Sequence, residues 1–302
     1  MASHLKQLPD KGEIFLDHVG WMIPDMQSAS EAFLKLGFVL TPYSEHSNEN
    51  AITGEITLQG SANRLIMLET GYLELLTDVT GMDTNVSQHL RTSMKRYIGV
   101  HLAAFSIADA EVEAERLLSV GFELQPTVNL RRTIEAADGA QAGVAFSVIR
   151  PKFGSIAEGR IQSLTHHTPE HMWQSRYIHH ANALNSLTGI IFCTRDPETS
   201  AKRFSKYTNR PVHSSPLGYG ITTDRGQLIF TDKETLAARF GGIRAPDLPS
   251  IAALIFTSSD FEVTREYMNT QKIELLEDQP DRLIVNPDHA MGTALIIENQ
   301  RV

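Results

Sequence analysis

The chain has little of three features that would mark other classes of protein. Its 302 residues include one cysteine, Cys193, so no disulfide can form within the chain and a reducing compartment is expected. Lys and Arg number 27 against 36 Asp and Glu, and the net charge of -9 offers no basic stripe to a nucleic acid. No apolar run approaches the roughly 18 residues that a membrane-spanning helix needs, and the N-terminus lacks a secretory signal. We therefore expect a cytoplasmic protein that binds neither nucleic acid nor membrane.

What the sequence does contain is a repeat. LDHVGWMIPD, residues 16–25, and VHLAAFSIAD, residues 100–109, are short apolar strands with an early His and a late Asp. Each is followed by an amphipathic helical segment that ends at a glycine, Gly37 or Gly121. Two weaker copies begin at residues 187 and 251. Internal similarity of this kind indicates the architecture more directly than any single motif.

Each copy predicts the element order βαβββ, and the second strand of the first copy is predicted at residues 38–41, before a polar stretch that is a loop or an irregular strand. The predicted class is therefore α+β, with four modules paired into two open half-barrels whose concave faces can hold a ligand. An N-terminal tail would cover residues 1–12, a first domain residues 13–165, a linker helix residues 166–185 and a second domain residues 186–302. The four modules would lie at 13–80, 98–165, 186–232 and 250–299. Thr168 is the predicted N-cap of the linker helix, with Pro169 at its first position.

Four stretches resemble the vicinal oxygen chelate superfamily, and more closely its glyoxalase-like branch. They are FLDHVGWMIPDM, ANRLIMLETGYLELL, VHLAAFSIADAE and EGRIQSLTHHTPEHMWQ, and they carry the resemblance over residues 13 to about 180. The repeat pattern and the closing NPDHAMGTALIIE extend it over the C-terminal half. A four-module chain with its site in one half also resembles the type I extradiol dioxygenases. The resemblance implies an enzyme that uses one divalent metal ion on a small-molecule substrate.

In that superfamily the metal is held by the first and last strands of two paired modules. The resemblance places His18 and His101 on the first strands. Aligning GYLELL with GRIQSL places Glu74 on one closing strand and Gln162 at the fourth position. We therefore predict the ligands His18, Glu74 and His101. Gln162 is predicted as a catalytic-site residue that serves as a weak ligand, a hydrogen-bond donor to substrate or a structural amide.

The residues around these positions support a site independently. Side chains alternate between the two faces of a strand, so Gly20 and Ala103, two steps beyond each His, would leave space beside it. A glutamate in so apolar a strand as that of Glu74 needs a metal or cationic partner to offset its desolvation.

The C-terminal half provides an internal comparison. Its positions that match His18, His101, Glu74 and Gln162 are Gly189, Ala252, Ile229 and Leu295. All four are apolar or glycine, so we expect side chains to fill the second concave face. The sequence therefore predicts one site, in the N-terminal half.

Further histidines follow the strand that carries Gln162. His167 is predicted as an acid–base residue, while the spacing of His167 and His171 would also suit a second metal ion. No HExxH pattern accompanies that pair, which disfavours the second metal. Four side chains are predicted to line the substrate pocket: His166, Tyr72, Arg64 and Trp173.

Three functions remain open at this point. Two imidazoles and one carboxylate match the ligands of mononuclear Fe(II) oxygenases, which favours an extradiol-type ring-cleaving dioxygenase with Fe²⁺ over Mn²⁺, Zn²⁺ or Ni²⁺. Gln162 departs from that pattern, because the dioxygenases carry a carboxylate there. The first alternative is a glyoxalase-like lyase or isomerase, in which the metal stabilises an enediolate. The second is a non-catalytic binding protein. In each case the protein is expected to be a monomer or a homodimer.

Overall fold

Two eight-stranded sheets, one in each half of the chain, form the framework of the molecule. The computed structural model describes residues 6–49, 55–136 and 139–299. The predicted α+β class and the two open half-barrels are confirmed. The first half contains β1 Ile14–Met22, α1 Met26–Lys35, β2 Ser44–Glu49, β3 Ile56–Met67, β4 Tyr72–Asp78, α2 Asn85–Arg96, β5 Gly99–Ile107, α3 Ala110–Ser119, β6 Val128–Glu135, β7 Gln141–Ile149 and β8 Arg160–His166.

The second half repeats this order, and all its strands except the two first strands of its modules are shorter. After α4 Pro169–Met172 and a 3₁₀ turn at Ser175–Tyr177 come β9 Leu184–Cys193, α5 Pro197–Thr208, β10 Val212–Ser215, β11 Gly218–Thr222, β12 Gln227–Thr231, α6 Lys233–Arg239, β13 Ser250–Ser258, α7 Phe261–Thr270, β14 Leu275–Gln279, β15 Arg282–Val285, a 3₁₀ turn at Pro287–His289 and β16 Ala294–Glu298. No helix in the described ranges is long and apolar enough to cross a membrane.

The sheet topology shows how two modules make one sheet. The first sheet has the order β2-β3-β4-β1-β5-β8-β7-β6, and the second has β10-β11-β12-β9-β13-β16-β15-β14. In each, the first strands of two modules pair antiparallel at the centre, and the closing strand of each module runs parallel beside its own first strand. The side chains of the two first strands and the two closing strands therefore meet at the middle of each concave face.

The repeated aspartates begin the four module helices. The carboxylate of each accepts a backbone N–H from the first helical turn, as an N-cap does. They are Asp25, Asp109, Asp196 and Asp260. The apolar faces of these helices cover the convex faces of the sheets, and one hydrophobic core continues through both halves. The indole of Trp21 also donates to the carbonyl of Ala290 at 3.0 Å, which links the halves directly.

Two predicted elements differ from the structure. The predicted strand at 38–41 is not a strand, and β2 lies instead in the polar stretch that follows it. The predicted linker helix over 166–185 is reduced to the four residues of α4 and a 3₁₀ turn. The hydroxyl of Thr168 does not cap α4, because it accepts the backbone N–H of Ala145 at 3.0 Å and ties this segment to β7.

Candidate active site

A cavity of about 410 Å³ opens in the concave face of the first sheet. Its walls are apolar and include Leu65, Met67, Leu76, Leu90, Leu102, Leu130, Val144, Phe146, Val148 and Leu164. Its polar groups include His18, His46, Asn63, Glu74, Arg150, Arg160 and Gln162. A concave, mainly apolar cavity with a few converging polar groups is the usual form of a small-molecule site.

His18 presents one ring nitrogen to this cavity. Its Nδ1 donates to the carboxylate of Asp17 at 2.7 Å, and its ring stacks on Tyr72 with 4.3 Å between ring centroids. Because an ionised carboxylate can only accept, the proton lies on Nδ1, and in the neutral ring Nε2 is left with its lone pair. That Nε2 lies 4.0 Å from Glu74 Oε2 and 3.4 Å from Gln162 Nε2. His18 is thus oriented to accept a proton from the cavity.

Asp17 is a buried carboxylate that the sequence analysis did not single out. It lies at a bulge of β1, where the pairing with β5 shifts between Leu16 and His18. Its second oxygen accepts from Nε2 of His166 at 2.9 Å. Burial alone would raise the pKa of Asp17, but the charges and hydrogen bonds of His166 and His18 outweigh it and hold that pKa well below its usual range. The charged carboxylate fixes the orientation of His18.

Glu74 is the central acidic group of the cavity. Its Oε1 accepts from Nδ2 of Asn63 at 2.7 Å, and Nε2 of His46 lies 4.0 Å from the same oxygen. Burial lowers the pKa of Arg160, and the charge of Glu74 partly restores it, so the two groups interact across the cavity. Arg160 thus places positive charge near Glu74 without forming an ion pair with it. His46 was not predicted, because it lies on β2, in a polar stretch that was expected to be a loop or an irregular strand.

Gln162 contributes an amide group beside His18. Its Oε1 accepts from Nε of Arg150 at 2.9 Å, which directs its NH₂ group towards His18 Nε2. Of the roles left open for Gln162, the hydrogen-bond donor agrees best with this orientation.

His101 does not face the cavity. Its Nε2 donates to the carbonyl of Tyr97 at 2.8 Å, and the two rings stack with 3.8 Å between centroids. The reason is a second bulge: Gly20 pairs with Leu102 and Trp21 with Val100, so His101 is passed over in the pairing with β1. A shift of one residue exchanges the faces of a strand, and Leu102 takes the position in the cavity wall. Burial lowers the pKa of His101 to about 4.

Of three further predicted site residues, one lines the cavity and two do not. Tyr72 lines the cavity, whereas Arg64 lies on the opposite face of β3, where its Nε donates to the carbonyl of Thr41 at 2.9 Å. His167 lies outside the cavity, with its Nε2 hydrogen-bonded to the hydroxyl of Ser147 at 2.8 Å. The structure therefore brings only Tyr72 of these three to the site.

His166 and Trp173 form a second layer behind Tyr72. The ring of Trp173 lies 5.1 Å from that of His166 and 6.2 Å from that of Tyr72. Neither residue is among the described lining of the cavity. His166 acts on the site through Asp17, and Trp173 supports Tyr72 by packing.

The predicted metal ligands are thus only partly assembled. His18 and Glu74 face each other, while His101 lies elsewhere. Over residues 6–49, 55–136 and 139–299, no group of three or more His, Cys, Asp or Glu side chains is placed so that it could hold a metal ion. The predicted set of His18, Glu74 and His101 does not fit a metal centre in this arrangement, and a metal role for any of them stays a prediction.

Comparison with known proteins identifies the fold family. A family model described as a glyoxalase-like domain matches residues 16–208, which is more than half of the chain. The chain belongs to this family. The predicted resemblance to the vicinal oxygen chelate superfamily is confirmed. The matched range includes every residue of the cavity described above. No curated protein matches the chain.

Solved structures share the fold at low sequence identity. A hypothetical protein from Staphylococcus aureus has a TM-score of 0.65 and 11% identity, over 95% of this chain and 99% of that one. A mutant 4-hydroxymandelate synthase from Streptomyces coelicolor has a TM-score of 0.56 and 11% identity, over 95% of this chain and 93% of that one. A Mn(II)-bound glyoxalase from Novosphingobium aromaticivorans has a TM-score of 0.54 and 8% identity, over 96% of this chain and 82% of that one. At these identities the similarity shows the fold alone.

Proposed function

We propose that the protein is an enzyme that removes a proton from the carbon next to a carbonyl group of a small molecule. The observation that carries this proposal is the orientation of His18, whose Nδ1 is held by Asp17 and whose Nε2 faces the cavity. This reaction belongs to the lyase and isomerase class that the sequence left open beside the dioxygenase. The apolar walls would hold the body of the substrate and exclude water from the reacting atoms.

Proton abstraction needs a base and a means of stabilising the negative oxygen that forms. The C–H bond breaks, its proton goes to Nε2 of His18, and the electron pair moves onto the carbonyl oxygen as an enolate. The NH₂ group of Gln162 and the guanidinium of Arg160 supply a hydrogen-bond donor and a positive charge for that oxygen. The carboxylates of Asp17 and Glu74 stabilise the imidazolium of His18 until the proton returns.

Exchange of substrate hydrogen with solvent tests this proposal even when the product has not been identified. Wild-type protein in D₂O would be mixed with a panel of hydroxyketones, hydroxyaldehydes and 2-oxo acids, and deuterium uptake followed by ¹H NMR. We expect His18→Ala to slow the exchange by about 10²- to 10⁴-fold, the usual contribution of a general base. His101→Ala is the matched control, because His101 occupies the repeated position but lies outside the cavity. Equal losses in both variants, or no exchange with any compound, would contradict the proposal.

A metal-dependent enzyme is the second candidate, and one arrangement favours it. Nε2 of His18 and Nε2 of His46 each lie 4.0 Å from a different oxygen of Glu74. Two imidazoles and one carboxylate are the ligand types of non-haem iron oxygenases, with His46 in the place predicted for His101, but these three side chains would have to move closer together to share an ion. A divalent ion held there would supply Lewis-acid or oxygen chemistry, as in the predicted ring-cleaving dioxygenase.

Metal analysis separates the two candidates. Protein loaded anaerobically with Fe²⁺, Mn²⁺, Zn²⁺ or Ni²⁺ would be desalted and its metal content measured. The second candidate predicts that His46→Ala loses the metal and His101→Ala retains it. Oxygen consumption with a panel of catechols then tests ring cleavage. If the protein holds no metal, the metal-dependent candidate falls and the proton-abstraction candidate remains. If a compound binds but neither hydrogen exchange nor oxygen uptake follows, the protein is a binding protein.

A further inference from the structure

A second cavity, of about 400 Å³, shares a wall with the first. Arg150 and Arg160 line both cavities, so their side chains separate the two. The described lining of the second cavity includes no Asp or Glu. Its other polar side chains are His89, Thr92, Ser93, Arg96, His101, Gln125 and Lys152. The chain as a whole carries a net charge of -9, so the excess of basic groups in this lining runs against the overall charge.

Arg160 is the cation of this wall whose hydrogen-bonding capacity is left for a ligand. Its Nε is buried, and among the described residues no side chain or carbonyl forms a hydrogen bond or an ion pair with its guanidinium. The charge of Glu74 acts on this guanidinium, and the centroid of the Phe153 ring lies 6.0 Å from its Cζ atom. A guanidinium carries five N–H donors in a planar fork. Leaving the buried Nε–H unpaired is unfavourable, and a bidentate oxyanion would satisfy it together with one Nη–H.

The other cations of the second cavity are already engaged, and Arg150 donates to Gln162 as described above. Nε of Arg96 donates to Asp247 at 2.8 Å, and Nζ of Lys152 donates to Glu123 at 2.6 Å. Lys152 is also exposed, so it belongs to the rim. Arg160 is therefore the cation most available to a ligand.

His89 adds a neutral donor and an aromatic surface. Its ring lies 4.7 Å from that of Phe153, and its buried Nε2 has no hydrogen-bond partner among the residues that the structure describes. Burial, together with the charges of Arg160 and His101, lowers the pKa of His89 to about 4. The uncharged imidazole can therefore donate one N–H to an anion without adding a second buried charge.

We propose that the second cavity binds a small organic anion, a carboxylate or a phosphate ester, with its oxygens on the guanidinium of Arg160. The volume suits a small molecule, and guanidinium geometry matches both groups. The anion is either the acid group of the molecule bound in the first cavity or a separate ligand. Since the argument rests on Arg160 and its surroundings, it holds whether or not His18 abstracts a proton.

The test uses the full chain with two probes, inorganic phosphate and benzoate, and measures dissociation constants by calorimetry. We expect the wild type to bind both with constants in or below the millimolar range. Arg160→Met should weaken both by at least about tenfold, a loss of about 1.4 kcal/mol or more. Lys152→Met, at the rim, should change them by less than about twofold, as expected for an exposed charge. Failure of the wild type to bind either probe, or unchanged binding by Arg160→Met, would overturn the proposal.

Folding is controlled in two ways. Without anion, the melting temperature of Arg160→Met should be no lower than that of the wild type, because a half-buried charge that forms no ion pair has been removed. Arg160→Lys keeps the charge but loses the planar fork, so it should retain the fold and bind both probes with intermediate affinity. Binding by Arg160→Lys that equals the wild type would contradict the role of the guanidinium.

A variant that fills the first cavity distinguishes the two sources of the anion. Leu130 lines the first cavity and not the second. If Leu130→Trp loses benzoate and retains phosphate, the acid group belongs to a molecule that extends into the first cavity. Retention of both identifies a separate anion. Loss of phosphate as well would place its binding in the first cavity and overturn the proposal.

Discussion

The two halves of the molecule have one architecture and opposite interiors. Strand pairing gives their correspondence: Glu74 lies opposite Gly20 as Ile229 lies opposite Ile191, and each pair occupies the same place in its sheet. The polar residues of the first concave face are replaced by apolar or glycine residues in the second. The replaced pairs are His18 and Gly189, Glu74 and Ile229, Arg160 and Ala294, and Gln162 and Ile296.

The second concave face is filled by the chain itself. α6 and the segment after it place Leu236, Phe240 and Ile243 into a hydrophobic cluster with Ile229 and Ile191. In the first half, α2 covers part of the concave face and leaves the cavity open beside it. The difference indicates a division of roles: close packing in the second half stabilises the fold, and the unfilled space of the first half is available to a ligand.

The largest effect is expected when the acidic group of the first half is placed in the second. Ile229→Glu buries a carboxylate in an apolar cluster, and we expect it to lower the free energy of unfolding by about 4 kcal/mol or more. Glu74→Gln is the matched control and should cost about 1 kcal/mol or less, because the amide oxygen can still accept from Asn63. Urea denaturation measures both. A loss below about 1 kcal/mol for Ile229→Glu would show that the second face is not closely packed.

A smaller difference in stability is expected between alanine substitutions of two leucines, one in each half. Leu236 is buried in the filled cluster of the second half, and Leu130 lines the cavity of the first. Leu236→Ala leaves a new void and should cost about 3 kcal/mol, within the usual range for such truncations. Leu130→Ala only enlarges an existing cavity, so we expect a loss of about 1 kcal/mol or less. Equal losses in urea denaturation would contradict the contrast between the two interiors.

Much of the fold could be predicted because its signals are local and repeated. Alternating apolar strands, helices with an aspartate N-cap and the glycines after α1 and α3 recur in register along the chain. β2 could not be predicted, because its residues Ser44–Glu49 are polar and show no apolar alternation. Its pairing with β3 depends on tertiary structure, which overrides local pattern.

The candidate site could be predicted only where strand alternation is regular. Glu74 and Gln162 face the cavity as the alignment of the closing strands indicated. His101 was misplaced because the bulge that removes it from register leaves no mark in the sequence. Strand pairing also makes Ile296, and not the aligned Leu295, the counterpart of Gln162 in the second half. Arg160 had no sequence signal, since its importance lies in the cavities on either side of it.

The smallest expected effect concerns pH and the bulge itself. In the second half Ala252 takes the place of His101, with the same shift in strand pairing. The folded-state pKa of His101 is lowered to about 4, so below about pH 6.5 the unfolded chain binds a proton that the folded protein does not. His101 therefore reduces stability as the pH falls from about 6.5 towards 4, and His89 and His180, whose pKa values are also lowered to about 4, act in the same direction.

His101→Ala makes the two bulges alike and should remove one of these three contributions. Between about pH 7 and about pH 5, the wild type should lose about 2 kcal/mol more than the variant in free energy of unfolding. Only the slope with pH is diagnostic, because loss of the stacking on Tyr97 lowers the stability of the variant at every pH. Asp17 does not interfere, since its lowered pKa makes its contribution decline only below about pH 3.8. Identical slopes for the two proteins in urea denaturation would mean that His101 is charged in the fold, in conflict with its burial behind the cavity wall.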